Sequence, residues 1–257
     1  MQPFSAVPFD LYGTLLISGA GGIGFKREPL EREDGLKNVL RRYGFDNLTP
    51  DRLAERLNLA ITHAHAIARR QGIDCPEVDI VRVWQQVLGL DDMAVAEDFA
   101  VEYELIVNPV YPMPGLEALL LACKTRKIPM GIISNAQFYT VSVLEWFLGE
   151  ALEKWGLDRR LFFFSWREGH AKPSAYMFNR AKAALFDMGI PAASVLYVGN
   201  DMRNDILPAR SVGLKTALFA GDRRSLRLRQ SDRRCLDVRP DMIITDLRQL
   251  IADAGNP

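Results

Sequence analysis

The chain has 257 residues, 48% of them hydrophobic, enough for one large domain or two small ones around a sizeable core. Lys plus Arg equals Asp plus Glu at 32 each, so the basic surplus of nucleic-acid and membrane-surface binders is missing and a small-molecule partner is expected. Cys75, Cys123 and Cys235 are far apart and lack CxxC spacing, which argues against a disulfide framework or a zinc site and suits a reducing compartment.

In chain order, the first element is the apolar stretch 6–11 within "VPFDLYGTLL", a buried strand that runs into Asp10. Gly19, Gly21 and Gly24 in "GAGGIG" then match the dinucleotide pattern GxGxxG. That motif needs its first glycine in the turn leaving a strand and a helix starting on the third. These glycines come nine or more residues after Asp10 and precede "FKREPLERED", so a flexible loop or small hairpin is expected instead.

No strand is expected from about residue 30 to 107, where "DGLKNVLRRYG", "PDRLAERLNLAITHAHAIARRQG", "VDIVRVWQQVLGL" and "VAEDFAVEYELIV" carry helical apolar spacing. This reads as a helical domain, 19–107, inserted after the first strand, with the proline-rich "NPVYPMPG" (108–115) marking the return. Trp84 fits its core stripe. His63 and His65, two apart, point in different directions on a helix and cannot share a metal as an i, i+4 pair would.

Five further strands are expected at 128–134, 161–165, 195–199, 215–220 and 241–245. Helical patterns separate most of them, including 139–156 and "PSAYMFNRAKAALFDMG", which opens at Pro173 and stops at Gly189. Alternation of this kind predicts a doubly wound α/β parallel sheet covered on both faces, built from 1–18 and 108–257. The arginine-rich "GDRRSLRLRQSDRR" (221–234), without interleaved aromatics, reads as a solvated face rather than a nucleic-acid surface. No signal segment is visible and no apolar run approaches the ~20 residues of a membrane helix, so a cytoplasmic protein without a membrane partner is expected.

Four strands finish in polar residues: Asp10 after the first, Ser134 and Asn135 after the second, Lys172 shortly after the third, and "GNDMRND" (199–205) after the fourth. In open parallel sheets that edge is where ligands bind. Singly, each residue is explained as a turn former, a helix cap or a solvated lysine. Jointly, those explanations become improbable.

"DLYGTL", "IISN", "AKP" and "VGNDMRND" together resemble, in order and interval, the four motifs of the haloacid dehalogenase (HAD) superfamily, and the likeness covers most of the chain. It implies a Rossmann-like core with strand order 5-4-1-2-3 and a helical cap inserted between the first two motifs. It also implies a hydrolase in which Asp10 is the nucleophile, forming an aspartyl intermediate that water cleaves. A carboxylate suits that role because it is anionic at neutral pH without an activating base. By the same likeness Ser134 donates a hydrogen bond to the transferring group, and Lys172 holds nucleophile and substrate anion by charge. Gly13, Thr14 and Asn135 are implied at the phosphate site, the first two through backbone N–H groups.

Asp10, Asp201, Asp205 and Lys172 sum to −2, and at an effective dielectric of ~20 each like-charge pair ~4 Å apart costs roughly 4 kcal/mol. A divalent cation removes that obstacle to an anionic substrate. The resemblance implies Mg²⁺ on Asp10, the Tyr12 carbonyl, and Asn200, Asp201 and Asp205.

Two departures stand out. Tyr12 occupies the position where family phosphatases usually carry a second, acid–base Asp, a function worth about 10²–10⁴ in rate; aryl or acyl leaving groups suffer least from its loss. Asn200 stands where the leading metal-binding Asp is usual, with Asp201 one step later. Tyr12 with the Ser-Asn of the second motif also resembles the 2-haloacid dehalogenases, whose halide leaves without proton or metal, Arg41 or Arg42 being candidates for the substrate carboxylate. Against this, the acid-rich fourth motif favours a Mg²⁺-dependent phosphatase of a small phosphorylated metabolite. A non-catalytic phosphate-binding or regulatory protein is a third reading. His170 is a further candidate to line the cleft, and a monomer or homodimer is expected.

Overall fold

Apolar runs bounded by turn formers become the strands of a parallel sheet in a computed structural model that describes residues 4–18 and 29–252. The GxGxxG glycines Gly19, Gly21 and Gly24 lie outside the described residues. In chain order the elements are β1 (Val7–Phe9), β2 (Leu16–Ser18), α1 (Pro29–Arg42), α2 (Pro50–Arg70), α3 (Ile80–Leu88), α4 (Met93–Val107), β3 (Val110–Pro112), α5 (Leu116–Thr125) and β4 (Met130–Ser134). There follow α6 (Tyr139–Leu148), β5 (Leu157–Phe164), α7 (Ser165–Glu168), α8 (Tyr176–Asp187), β6 (Leu196–Gly199), α9 (Leu207–Ser211), β7 (Lys215–Phe219), β8 (Met242–Ile244) and α10 (Gln249–Ala252).

The six-stranded sheet has order β5-β4-β1-β6-β7-β8, every recorded pairing being parallel, which is the expected 5-4-1-2-3 order with a sixth strand at one edge. β1 therefore stands centrally, between β4 and β6. Pro8 brings no N–H to that central strand, and the pairing with β6 is correspondingly sparse: Phe9 opposite Val198, and the Ala6–Val195 bridge. At Gly131 a Cβ would meet Leu161 Cβ at 2.5 Å. The absent side chain lets β5 cross closely where its register against β4 shifts.

Alternation along each strand feeds two apolar layers. One face carries Phe9, Ile132, Phe162, Phe164, Val198 and Phe219, packed with Leu119, Leu120 of α5 and Leu144, Leu148 of α6. The other carries Ile133, Leu161, Phe163 and Tyr197, packed with Met177, Phe178, Ala181 and Leu185 of α8. Each such side chain removed from water contributes roughly 1.5–3 kcal/mol.

Three details depart from expectation. The helix expected over 139–156 stops at Leu148, because Gly149 takes a left-handed conformation (φ 71°) and a short 3₁₀ turn, Leu152–Trp155, follows. β5 starts at residue 157, ahead of the expected 161, because its first half lies on an edge strand where Arg159 and Arg160 are solvated and mask the apolar signal. β2 and β3, a separate two-stranded sheet, were too short to be expected.

The chain divides into two compact units, Met1–Ile17 with Tyr111–Pro257, and Ser18–Val110. The second unit contains α1 to α4. Thr49, Asp79 and Asp92 cap α2, α3 and α4 by accepting from Arg52, Val81 and Ala94 N–H groups. Trp84 is buried against Phe99 and Tyr103, with ring centroids 4.9 and 4.7 Å apart, so it is core. Ser18 Oγ donates to Asn108 Oδ1 at 2.7 Å, tying together the two ends of the unit. No helix among the described residues is long and apolar enough to cross a membrane.

Candidate functional site

The Asp10 amide still bonds Val198 O at 2.9 Å, so this carboxylate is fixed to the sheet one residue past β1. The turn beyond it closes on itself: Leu11 O accepts from Thr14, Leu15 and Leu16, and Gly13 N–H donates to Leu16 O at 2.6 Å. Gly13 has φ +86°, and a Cβ there would stand 2.3 Å from Asn200 Nδ2, so only glycine fits. The Gly13 and Thr14 N–H groups are thus consumed inside the turn, a correction to the expectation that they face an anion. Thr14 Oγ1 is buried without a partner among the described residues.

Three other strand ends converge on Asp10. Ser134 Oγ donates to Asp10 Oδ1 at 2.8 Å, and Lys172 Nζ donates to the same oxygen at 2.7 Å. Lys172 Nζ also reaches Asp205 Oδ1 at 2.6 Å, Tyr197 Oη at 3.2 Å and Ile133 O at 3.3 Å. Asp205 Oδ2 accepts from the amides of Asn200 (3.0 Å) and Asp201 (2.9 Å). A Cβ on Gly199 would lie 2.5 Å from Asp205 Cγ, so the strand end has room for this carboxylate only without a side chain. The phenol of Tyr197 lies between Ile133 O (2.9 Å) and Asp205 Oδ1 (3.0 Å), one proton serving both.

Burial alone would strip Lys172 of its proton, yet the charges of Asp10 and Asp205 override it and hold the ammonium above its ordinary range. Burial, with the Asp205 and Asp10 charges behind it, pushes Tyr197 well above the usual phenol value, so it stays a donor. Burial lifts Asp205 to about 6, opposed by the neighbouring Lys172 and assisted by Asp10. At neutral pH Lys172 and Asp205 therefore face each other as an ion pair, and the same ammonium donates to Asp10 Oδ1.

Asn135 holds the lysine's backbone rather than facing outward: its Oδ1 accepts from Lys172 N–H at 2.7 Å and its Nδ2 donates to Lys172 O at 3.2 Å. Tyr12 pairs its hydroxyl with Thr140 Oγ1 at 2.8 Å and packs its ring on the core, leaving its backbone carbonyl as the atom matching the expected role. His170 stacks on Tyr176 with ring centroids 3.9 Å apart.

The fourth motif differs most from expectation. Asp201 carries its carboxylate to Arg229, which grips it with Nε to Oδ1 at 3.0 Å and Nη2 to Oδ2 at 2.6 Å. Asp201 Oδ1 also accepts from the Arg203 (2.8 Å) and Asn204 (3.2 Å) amides, capping a turn of π-helix, Met202–Ile206. Asn200 donates through Nδ2 to Ser225 O at 2.6 Å. Arg229 and Ser225 belong to the stretch read as a solvated face. Nothing in its composition distinguishes Arg229 from the neighbouring arginines, so only the fold reveals it. Tyr197 was legible in principle, since a tyrosine inside a buried strand needs a partner for its hydroxyl.

The residues that would hold a cation here are Asp10 through its second oxygen, Tyr12 through its carbonyl and Asn200 through its amide oxygen, hard donors of the kind that would suit Mg²⁺ completed by water and substrate. Asp201 and Asp205 spend both their oxygens elsewhere. Among the described residues no group of three His, Cys, Asp or Glu side chains could hold a metal. Of the five expected ligands, Asp201 and Asp205 are thus engaged elsewhere, which corrects the expectation for these two. With Arg229 included the centre sums to −3 + 2 = −1, against −2 expected without it.

None of the curated proteins searched matches the chain. Among solved structures, a 2-haloacid dehalogenase from Pseudomonas syringae pv. Tomato DC3000 superposes with TM-score 0.59 at 17% identity, over 98% of this chain and 100% of that one. A HAD phosphatase from Thermococcus onnurineus gives 0.55 at 18% identity, over 98% of each chain. The HAD-hydrolase YfnB from Bacillus subtilis, bound to magnesium, gives 0.54 at 16%, over 98% of this chain and 99% of that one. These likenesses establish a common fold. Residues 4–213, more than three quarters of the chain, match the model of the haloacid dehalogenase-like hydrolases, and the chain belongs to that family of enzymes.

Proposed function

We propose that this hydrolase is a Mg²⁺-dependent phosphatase of a small phosphorylated metabolite, with Asp10 as nucleophile. The carrying observation is that Asp10 has one oxygen doubly held, by Ser134 and Lys172, while its other oxygen accepts no hydrogen bond from a described residue. Two charge-assisted bonds to one oxygen anchor the carboxylate and leave the other oxygen for attack. That oxygen attacks phosphorus, the ester oxygen departs, and water then cleaves the aspartyl-phosphate to regenerate Asp10. Lys172, kept protonated, neutralises charge beside the transferring group, and Asn135 and Asp205 keep Lys172 in place. When bound, Mg²⁺ supplies the countercharge that a centre of net −1 lacks toward an anionic substrate. The helical unit, inserted between the first and second motifs, is proposed as the cap that selects the substrate.

Tyr12 supports a second reading. With its hydroxyl paired to Thr140, no carboxylic acid stands two residues after Asp10 to protonate a leaving alcohol, as suits departure of a halide from a 2-haloacid. Turnover of an aryl phosphate with Mg²⁺, with EDTA, and by Asp10→Asn separates the two. Metal-dependent turnover abolished in the variant is expected. Chloride release from a 2-haloacid in excess EDTA, without phosphatase activity, would overturn the phosphatase reading.

A further inference from the structure

The segment Ser225–Arg229 is docked along the fourth motif. Arg227 N–H donates to Asn200 O at 3.0 Å, Met202 N–H donates to Arg227 O at 2.9 Å, and Asp201 and Arg227 form an isolated parallel bridge. At its end Arg229 takes φ +52°, a left-handed conformation uncommon for a residue other than glycine. The conformation delivers the guanidinium to Asp201 in a two-pronged grip, with the Asp201 side chain 8% exposed. The same segment fixes Asn200 the opposite way. A carbonyl only accepts, so the bond to Ser225 O commits Nδ2 to that side and turns Oδ1 away from it.

We propose that Arg229 is a positioning residue that withholds Asp201 from direct ligation of the divalent cation, leaving Asn200 as the fourth motif's ligand. The inference rests on the metal-dependent reading above. It explains why an amide stands at the first position of "NDMRND" beside an acid at the second: the acid is neutralised internally, and a neutral oxygen is what remains. The consequence is a weaker cation site than the count of acids suggests, with Arg229 setting its affinity.

The test is a titration of each intact protein with Mn²⁺ as a paramagnetic stand-in for Mg²⁺, without substrate, free ion being read by electron paramagnetic resonance. R229Q frees the Asp201 carboxylate, and its dissociation constant is expected to fall about tenfold. R229K, a cation without the planar fork, is expected between wild type and R229Q. The double variant R229Q/D201N restores the wild-type charge count with no Asp201 carboxylate, and is expected within about threefold of wild type, while D10N weakens binding by at least about tenfold. R229Q unchanged or weaker, or the double variant as weak as D10N, overturns the inference. Should R229Q fail to fold, the double variant decides. Wild type that takes up no Mn²⁺ overturns the metal-dependent reading and this inference with it, whereas wild-type uptake without tightening in R229Q overturns this inference alone.

Discussion

Lys172 Nζ lies 2.7 Å from Asp10 Oδ1 with both side chains nearly sealed from water, and the same ammonium spans to Asp205 at 2.6 Å. Removing one partner of a buried ion pair leaves uncompensated charge, so Lys172→Met strands two carboxylates at once. A stability loss of about 3–5 kcal/mol is expected. Urea unfolding of the variant measures it, and a loss under about 1 kcal/mol would show the bridge to be dispensable.

Burial, ahead of the opposing charge of Lys172 and the added charge of Asp10, lifts Asp205 to about 6. An unfolded Asp titrates near 3.9, so the native protein holds this proton more tightly. The group's favourable contribution is complete below about pH 4 and is lost as pH rises to about 6. The stability of wild type minus that of Asp205→Asn, from urea unfolding between about pH 4 and 7, is therefore expected to fall through this window and then level off. A difference that grows with pH would contradict the assignment.

Asn135 and Lys172 exchange two hydrogen bonds between side chain and backbone. Asn135→Ala removes both, each worth about 1 kcal/mol, and loosens the lysine rather than deleting it. Turnover is expected to drop with little change in KM for substrate, since Asn135 acts through Lys172. A selective rise in KM with unchanged kcat would instead put Asn135 on the substrate.

Gly199→Ala places a Cβ 2.5 Å from Asp205 Cγ. The carboxylate has no slack, being held by two amides and an ammonium, so overpacking is expected to cost about 1–3 kcal/mol. Thermal melting of the variant checks this; an unshifted midpoint would mean that β6 yields.

Tyr12 offers no carboxylic acid to a leaving alcohol, its hydroxyl being paired with Thr140. If phosphoryl transfer is the reaction, aryl phosphates are expected to outpace alkyl phosphates of similar size by about 10²-fold or more in kcat. Comparable rates on both classes would mean that another group supplies the proton.

The parallel sheet was legible because its central strands β1, β4 and β6 are apolar runs buried along their length, as coverage on both faces requires. The helical unit was legible from the 3.6-residue period of four stretches. Asp10, Ser134, Lys172 and Asp205 could be named in advance because each ends or closely follows a strand, and a parallel sheet gathers those ends along one edge. What the sequence could not carry is direction. Gly13 and Thr14 N–H groups close their own turn, Asn135 turns onto Lys172, and Asp201 turns away to Arg229, each set by side-chain and backbone bonds made across the fold. Arg229 lies 28 residues beyond Asp201 among five other arginines of its stretch. Periodicity and strand-end position decide which residues come together; tertiary packing decides which oxygen of each acid is spent and which is left, because hydrogen-bond partners distant in sequence compete for the same lone pairs.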